Sequence, residues 1–130
     1  MLKNDVVRKG DYTPIPKYVR RQVTRSHCQI CLQPYGRVYK LGKGIRCPRQ
    51  HIEHMISRRY LHQHGINCHH PQILLSVCQH CGIPKALEDR LYQGDVLSFL
   101  QGLSRLGYPV ARVVRFAASV GLKEFEGVNV

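Results

Sequence analysis

The chain has no apolar run of about 18 residues, the length a membrane-spanning helix needs, so no span and no membrane partner are expected. Its first residues, MLKNDVVRKGDY, lack the apolar segment of a secretory signal. A reducing, cytoplasmic interior is therefore the expected location. Internal repeats and low-complexity tracts are lacking too. Acid is scarce: eight Asp and Glu stand against 20 Lys and Arg, a net charge of +12. The excess is local. Residues 1–60 hold 14 basic and three acidic groups, whereas residues 61–130 hold six and five. Concentrated positive charge suits a polyanion, nucleic acid first. The plainer alternative is a solvated basic surface.

With 130 residues, the chain can form one modest domain or a small core with added helices. Six cysteines in a secreted chain would suggest disulfides; in a reducing interior, paired CxxC motifs read as metal ligands. Cys28-Gln29-Ile30-Cys31 and Cys78-Gln79-His80-Cys81 are two such pairs, 46 residues apart. Two thiolates are half of a tetrahedral site, and the two pairs together complete one. Four thiolates fill the coordination sphere of zinc and leave no position for water, so the ion staples the fold and does no chemistry. A redox dithiol is the competing reading, and it usually needs only one CxxC.

Residues 1–13 read as a flexible arm, broken by Pro14 and Pro16. KYVRRQV places Val19 and Val23 four apart, an apolar edge on a short basic helix. Val38, Tyr39 and Leu41 are strand-like, with a glycine-rich turn after them. Residues 51–57, HIEHMIS, suit a second strand. Residues 58–72 are rich in His, Gln, Asn and Gly and read as a loop. The apolar run ILLSVC leads into the second cysteine pair. A helix is expected from Pro84, with Leu87 and Leu91 towards the core. Two amphipathic helices follow. Asp95 caps the first, which carries Val96, Phe99, Leu100 and Leu103 on one side and ends at Gly107. The second runs from Pro109 to Gly121 with Val113, Phe116, Ala117 and Val120 in a stripe. Such a pair can read DNA as a helix-turn-helix, dock a larger protein assembly, or simply pack a core. The fold class expected is α+β: residues 14–93 form a zinc-binding domain with a basic N-terminal helix, and residues 94–130 a helical extension.

Three stretches together resemble the HNH endonuclease family. IPKYVRRQVTRSHCQIC looks like its basic lead-in to a first knuckle, EHMIS like its acidic-His element, and PQILLSVCQHCGIPKALED like its passage through the second knuckle into a helix. The resemblance covers roughly residues 14–90. It implies a ββα-metal fold, structural zinc on Cys28, Cys31, Cys78 and Cys81, and metal-dependent hydrolysis or nicking of DNA. It also implies His54 as general base on water and Glu53 as ligand of a magnesium or manganese ion. Two family positions depart from the pattern. The Asn that orients the base is Ile73 here, and the final His or Asn is Gly82. The catalytic site is thus eroded or rebuilt, and a zinc-stapled DNA- or RNA-binding adaptor without cleavage is the alternative function.

Rebuilding has material. Six histidines fall between residues 51 and 70, flanked by Cys47 and Cys68. His51 and Glu53 point to one side of a strand and could share an ion, which makes His51 a replacement ligand. Cys47-x-x-x-His51 with Cys68-His69-His70 has the donors for a second zinc; loop-surface histidines and small buried cysteines are the alternative. Arg20, Arg21, Arg25, Arg37, Lys40, Lys43, Arg46, Arg58 and Arg59 are candidates for phosphate contacts, which give affinity but little sequence choice. Lys85, near a helix N-terminus, is another. Tyr35, Tyr39 and Tyr60 could stack on bases or pack half-buried.

Overall fold

A computed structural model describes residues 14–128, the Leu41 side chain excepted. The arm expected over residues 1–13 lies outside them. The fold is α+β. Helix α1 (Lys17–Val23) leads to strands β1 (Tyr39–Leu41), β2 (Gly44–Arg46) and β3 (Gln50–His54). Helix α2 (Arg58–Gln63), a 3-10 turn (Pro71–Ile73) and β4 (Leu74–Cys78) follow. Helices α3 (Lys85–Tyr92), α4 (Val96–Leu106) and α5 (Val110–Ser119) precede a last 3-10 turn, Lys123–Phe125.

The strands make two separate antiparallel pairs, β1 with β2 and β3 with β4. The run ILLSVC therefore has a larger part than an approach to the cysteines: most of it is β4, and every residue of β4 is buried. Its register sets Glu53 opposite Leu75 and His54 opposite Leu74. Side chains alternate across the pair. Ile52 and Leu74 join Ile15, Val19 and Val23 of the α1 region in a small cluster. Leu75 and Val77 join the main core on the other face. Two fully covered faces explain the apolar content of β4 and its lack of alternation.

Residues 58–72 are not a plain loop. Ser57 caps α2, its hydroxyl oxygen accepting the Tyr60 N–H, and the helix buries Tyr60 and Leu61. The cap supplies one of the N-terminal donors with a partner, and two adjacent large side chains hold so short a helix against the core.

Helices α4 and α5 follow their sequence patterns closely. The Asp95 carboxylate accepts from the Ser98 N–H, and Gly107 ends α4 with φ +94°, a conformation that suits glycine. Val96, Phe99, Leu100 and Leu103 of α4 are buried, as are Val113, Phe116 and Ala117 of α5. Each of these side chains except that of Ala117 contributes about 1.5–3 kcal/mol by leaving water. These faces pack the core. One apolar cluster runs from Cys28 through β4 and the helices to Phe125. Arg112 of α5 donates to the carbonyls of Gln72 and Leu74, both at 2.7 Å, and so joins the last helix to the start of β4. Among the described residues, no helix is long and apolar enough to cross a membrane.

Candidate metal centre and adjoining cleft

The two CxxC pairs meet. A short bridge between His27 and Pro34 folds the first pair into a turn, and Leu32 within it takes φ +67°. The second pair starts at the end of β4. The four sulfur atoms of Cys28, Cys31, Cys78 and Cys81 lie within 4.8 Å of one another. Cys31 Sγ is 3.9 Å from Cys78 Sγ, which is 3.5 Å from Cys81 Sγ. Sulfurs around a tetrahedral zinc, with bonds of about 2.3 Å, stand about 3.8 Å apart. The donors and their spacing fit such an ion.

The backbone prepares Cys28 for the thiolate form. The N–H groups of Ile30 and Cys31 point at Cys28 Sγ, each at 3.4 Å. Burial pushes the Cys28 thiol up, but the backbone donors outweigh it and bring the pKa down to about 7. Burial pushes the Cys31 and Cys81 thiols the other way, upwards. The hydroxyl of Tyr108, itself buried just before α5, donates to the Cys81 carbonyl and fastens the second knuckle to the C-terminal helices. Tyr35 reaches the Ser76 hydroxyl at 2.6 Å.

A cleft of about 330 Å³ opens beside the cluster, lined by His51, Ile52, Glu53, His54, Ser57, Arg58, Arg59 and Glu88. As strand geometry requires, His51 and Glu53 share a side, with His51 Nε2 3.4 Å from Glu53 Oε1. That hydrogen bond raises the His51 pKa, and burial offsets it in part. The other carboxylate oxygen, Oε2, accepts from the Ile83 N–H at 2.7 Å, just past the second knuckle. A side chain at Gly82 would place its Cβ 2.9 Å from the same oxygen. Glycine thus lets the carboxylate reach the backbone. Glu88, one turn into α3, supplies a second carboxylate to the cleft and was not signalled by the sequence motifs.

His54 lies deeper than a base at the mouth of a cleft. Only 8% of it is exposed. Arg58 Nε approaches its Nδ1 at 3.4 Å, while Nε2 is buried and, among the described residues, has no hydrogen-bond partner. Such an orphan costs roughly 1–3 kcal/mol. Burial, then the charges of Arg58 and nearby histidines, pushes its pKa to about 3, so the ring is neutral at physiological pH. Ile73 is fully buried and offers only backbone: its carbonyl accepts the Met55 N–H at 2.8 Å.

The second donor set expected from Cys47, His51 and Cys68 to His70 does not assemble. Cys47 and His51 are exposed, and His70 packs against the Phe116 ring. The group that does assemble is His54, Cys68 and His69. Loop closure behind β3, invisible in residue spacing, selects these three.

The basic candidates are spread around this framework. Arg20, Arg21 and Arg25 are exposed in and after α1; Arg37, Lys40 and Lys43 are exposed on or before the β1–β2 hairpin, with Arg46 half-buried. Lys85 is exposed at the start of α3, Arg59 is exposed on α2, and Arg58 is half-buried. Tyr60 is 3% exposed, so it belongs to the core, and Tyr35 and Tyr39 are half-buried. Comparison with protein-family models, with curated proteins and with solved structures finds no match for the chain.

Proposed function

We propose that the chain is a zinc-stapled, HNH-like nucleic-acid-binding protein whose cleft hydrolyses or nicks DNA with a divalent ion. The observation that carries this reading is the cleft itself: Glu53, Glu88, His51 and His54 line it together with Arg58 and Arg59, beside the four-cysteine cluster. Zinc suits the cluster because soft thiolates select it over harder ions. Two carboxylates and water suit magnesium or manganese, with Glu88 standing in for the ligand missing at residue 82. When bound, that ion stabilises charge on the scissile phosphate. Arg58 and Arg59 hold the phosphate backbone, and as Arg58 turns from His54 to the phosphate it frees Nδ1 of the neutral ring, which then accepts a water proton. Exposed basic residues of the β1–β2 hairpin and of α1 add phosphate contacts for duplex DNA.

A second reading is a DNA- or RNA-binding adaptor without cleavage. It draws on the Glu53 carboxylate, already engaged by the Ile83 N–H, and on the depth of His54.

Plasmid nicking decides between them. With magnesium or manganese, nicking is expected, and His54→Ala should reduce it by at least about 100-fold, the usual scale of a general base. Activity unchanged in that variant removes His54 from the mechanism, and no activity with any divalent ion leaves the adaptor. Binding is the shared requirement. Duplex affinity should fall on the order of 1,000-fold between about 50 and 200 mM salt, the response of about six phosphate contacts. A flat salt response refutes both readings.

A further inference from the structure

We propose that His54, Cys68 and His69 form a second metal site, which takes a thiophilic transition ion of the zinc class on the inner side of the cleft. Their ligand atoms lie within 4.8 Å of one another, without Cys47 or His70. Cys68 is fully buried, His54 is 8% exposed and His69 is 9% exposed. The Cys68 sulfur is 3.7 Å from each of the two His69 ring nitrogens. A sulfur and a nitrogen on one tetrahedral zinc stand about 3.6 Å apart. The rings of His54 and His69 meet edge-on with centroids 5.7 Å apart, so neither stacks over the other's nitrogens.

Independent support comes from His54 Nε2. This nitrogen is buried and lacks a hydrogen-bond partner among the described residues, a condition native interiors avoid. An ion would give it one. The backbone also holds the loop that delivers the other two ligands: the His69 N–H donates to Asn67 Oδ1 at 2.9 Å, and the Ile73 N–H to the His70 carbonyl at 3.1 Å. One thiolate and two imidazoles select zinc, cobalt or copper and discriminate against magnesium and manganese. Three protein ligands leave one position, which water from the adjoining cleft can fill.

Occupancy has a chemical consequence for His54. With the ion on Nε2, the neutral ring must carry its proton on Nδ1. Nδ1 then no longer accepts from Arg58, and it no longer serves as a base. The site therefore does not depend on the cutting reading; if cutting holds, loading this site with zinc stops it.

The test counts ions and does not need activity. Full-length protein purified with zinc is expected to hold about two ions per chain. Cys68→Ala and the gentler His69→Gln are each expected to hold about one, retained by the four-cysteine cluster, with unchanged circular dichroism to show that they fold. Cobalt exchanged into the wild type should show thiolate charge-transfer absorption that loses the Cys68 contribution in Cys68→Ala. One ion per chain in the wild type overturns the proposal. So does an equal count in the wild type and both variants. Should Cys68→Ala fail to fold, His69→Gln alone decides by the same count.

Discussion

Keeping zinc from the four-cysteine cluster is expected to unfold the protein. Cys28 and Cys78 are 0% and 1% exposed, inside the main apolar cluster, and the first turn is held to the sheet through few other groups. Those are the Gln29 N–H to the Ser76 carbonyl, Gln29 Oε1 to the Ser76 N–H, and Tyr35 to the Ser76 hydroxyl. Without metal, buried thiolates must protonate, and four sulfurs held a few ångströms apart lose what gathers them. Structural zinc supplies about 10–16 kcal/mol in small domains, as much as the whole stability of an ordinary one. Cys78→Ser should therefore lower the melting midpoint by at least about 20 °C, taking ~5 kcal/mol of lost binding at roughly 4 °C per kcal/mol. A strong chelator should do the same to the wild type. Acid should act likewise, because protons compete for thiolates, so stability falls as pH drops. A melting curve indifferent to both chelator and Cys78→Ser would show that the cluster holds no stabilising ion.

Placing at residue 73 the Asn that the HNH resemblance would call for is expected to damage the protein. Ile73 is fully buried within the main apolar cluster. Ile73→Asn removes a buried aliphatic side chain and leaves an amide in its place. The first change costs about 2–4 kcal/mol and an unsatisfied amide roughly 1–3 more. The urea midpoint should shift down accordingly, by an amount comparable with the total stability of a marginal domain. A variant as stable as wild type, with faster nicking, would show that the pocket around residue 73 accepts an orienting amide and that Ile73 is a simple loss.

Much of this architecture is written locally in the chain. The cysteine spacing announces the meeting of four sulfurs, and the caps Asp95 and Gly107 delimit α4 because their chemistry acts within one turn. Val19 and Val23 mark the inner edge of α1 for the same reason. Other features depend on what covers what. β4 is buried on both faces, so the alternation that identifies a half-buried strand is absent. α2 has adjacent Tyr60 and Leu61 but no 3.6-residue stripe, and its Arg, His and Gln disguise it. The grouping of His54 with Cys68 and His69 needs a loop to fold back across β3, and Glu88 enters the cleft only once α3 is docked. Residue type alone offers many histidines; tertiary closure picks two of them.

The bond from Tyr108 to the Cys81 carbonyl, together with an apolar cluster shared by Cys28 and Phe125, is expected to make the cysteine cluster and the C-terminal helices melt as one. Amide hydrogens deep in α4 and α5, far from any sulfur in sequence, would then exchange with solvent only through global opening, at a rate governed by the metal.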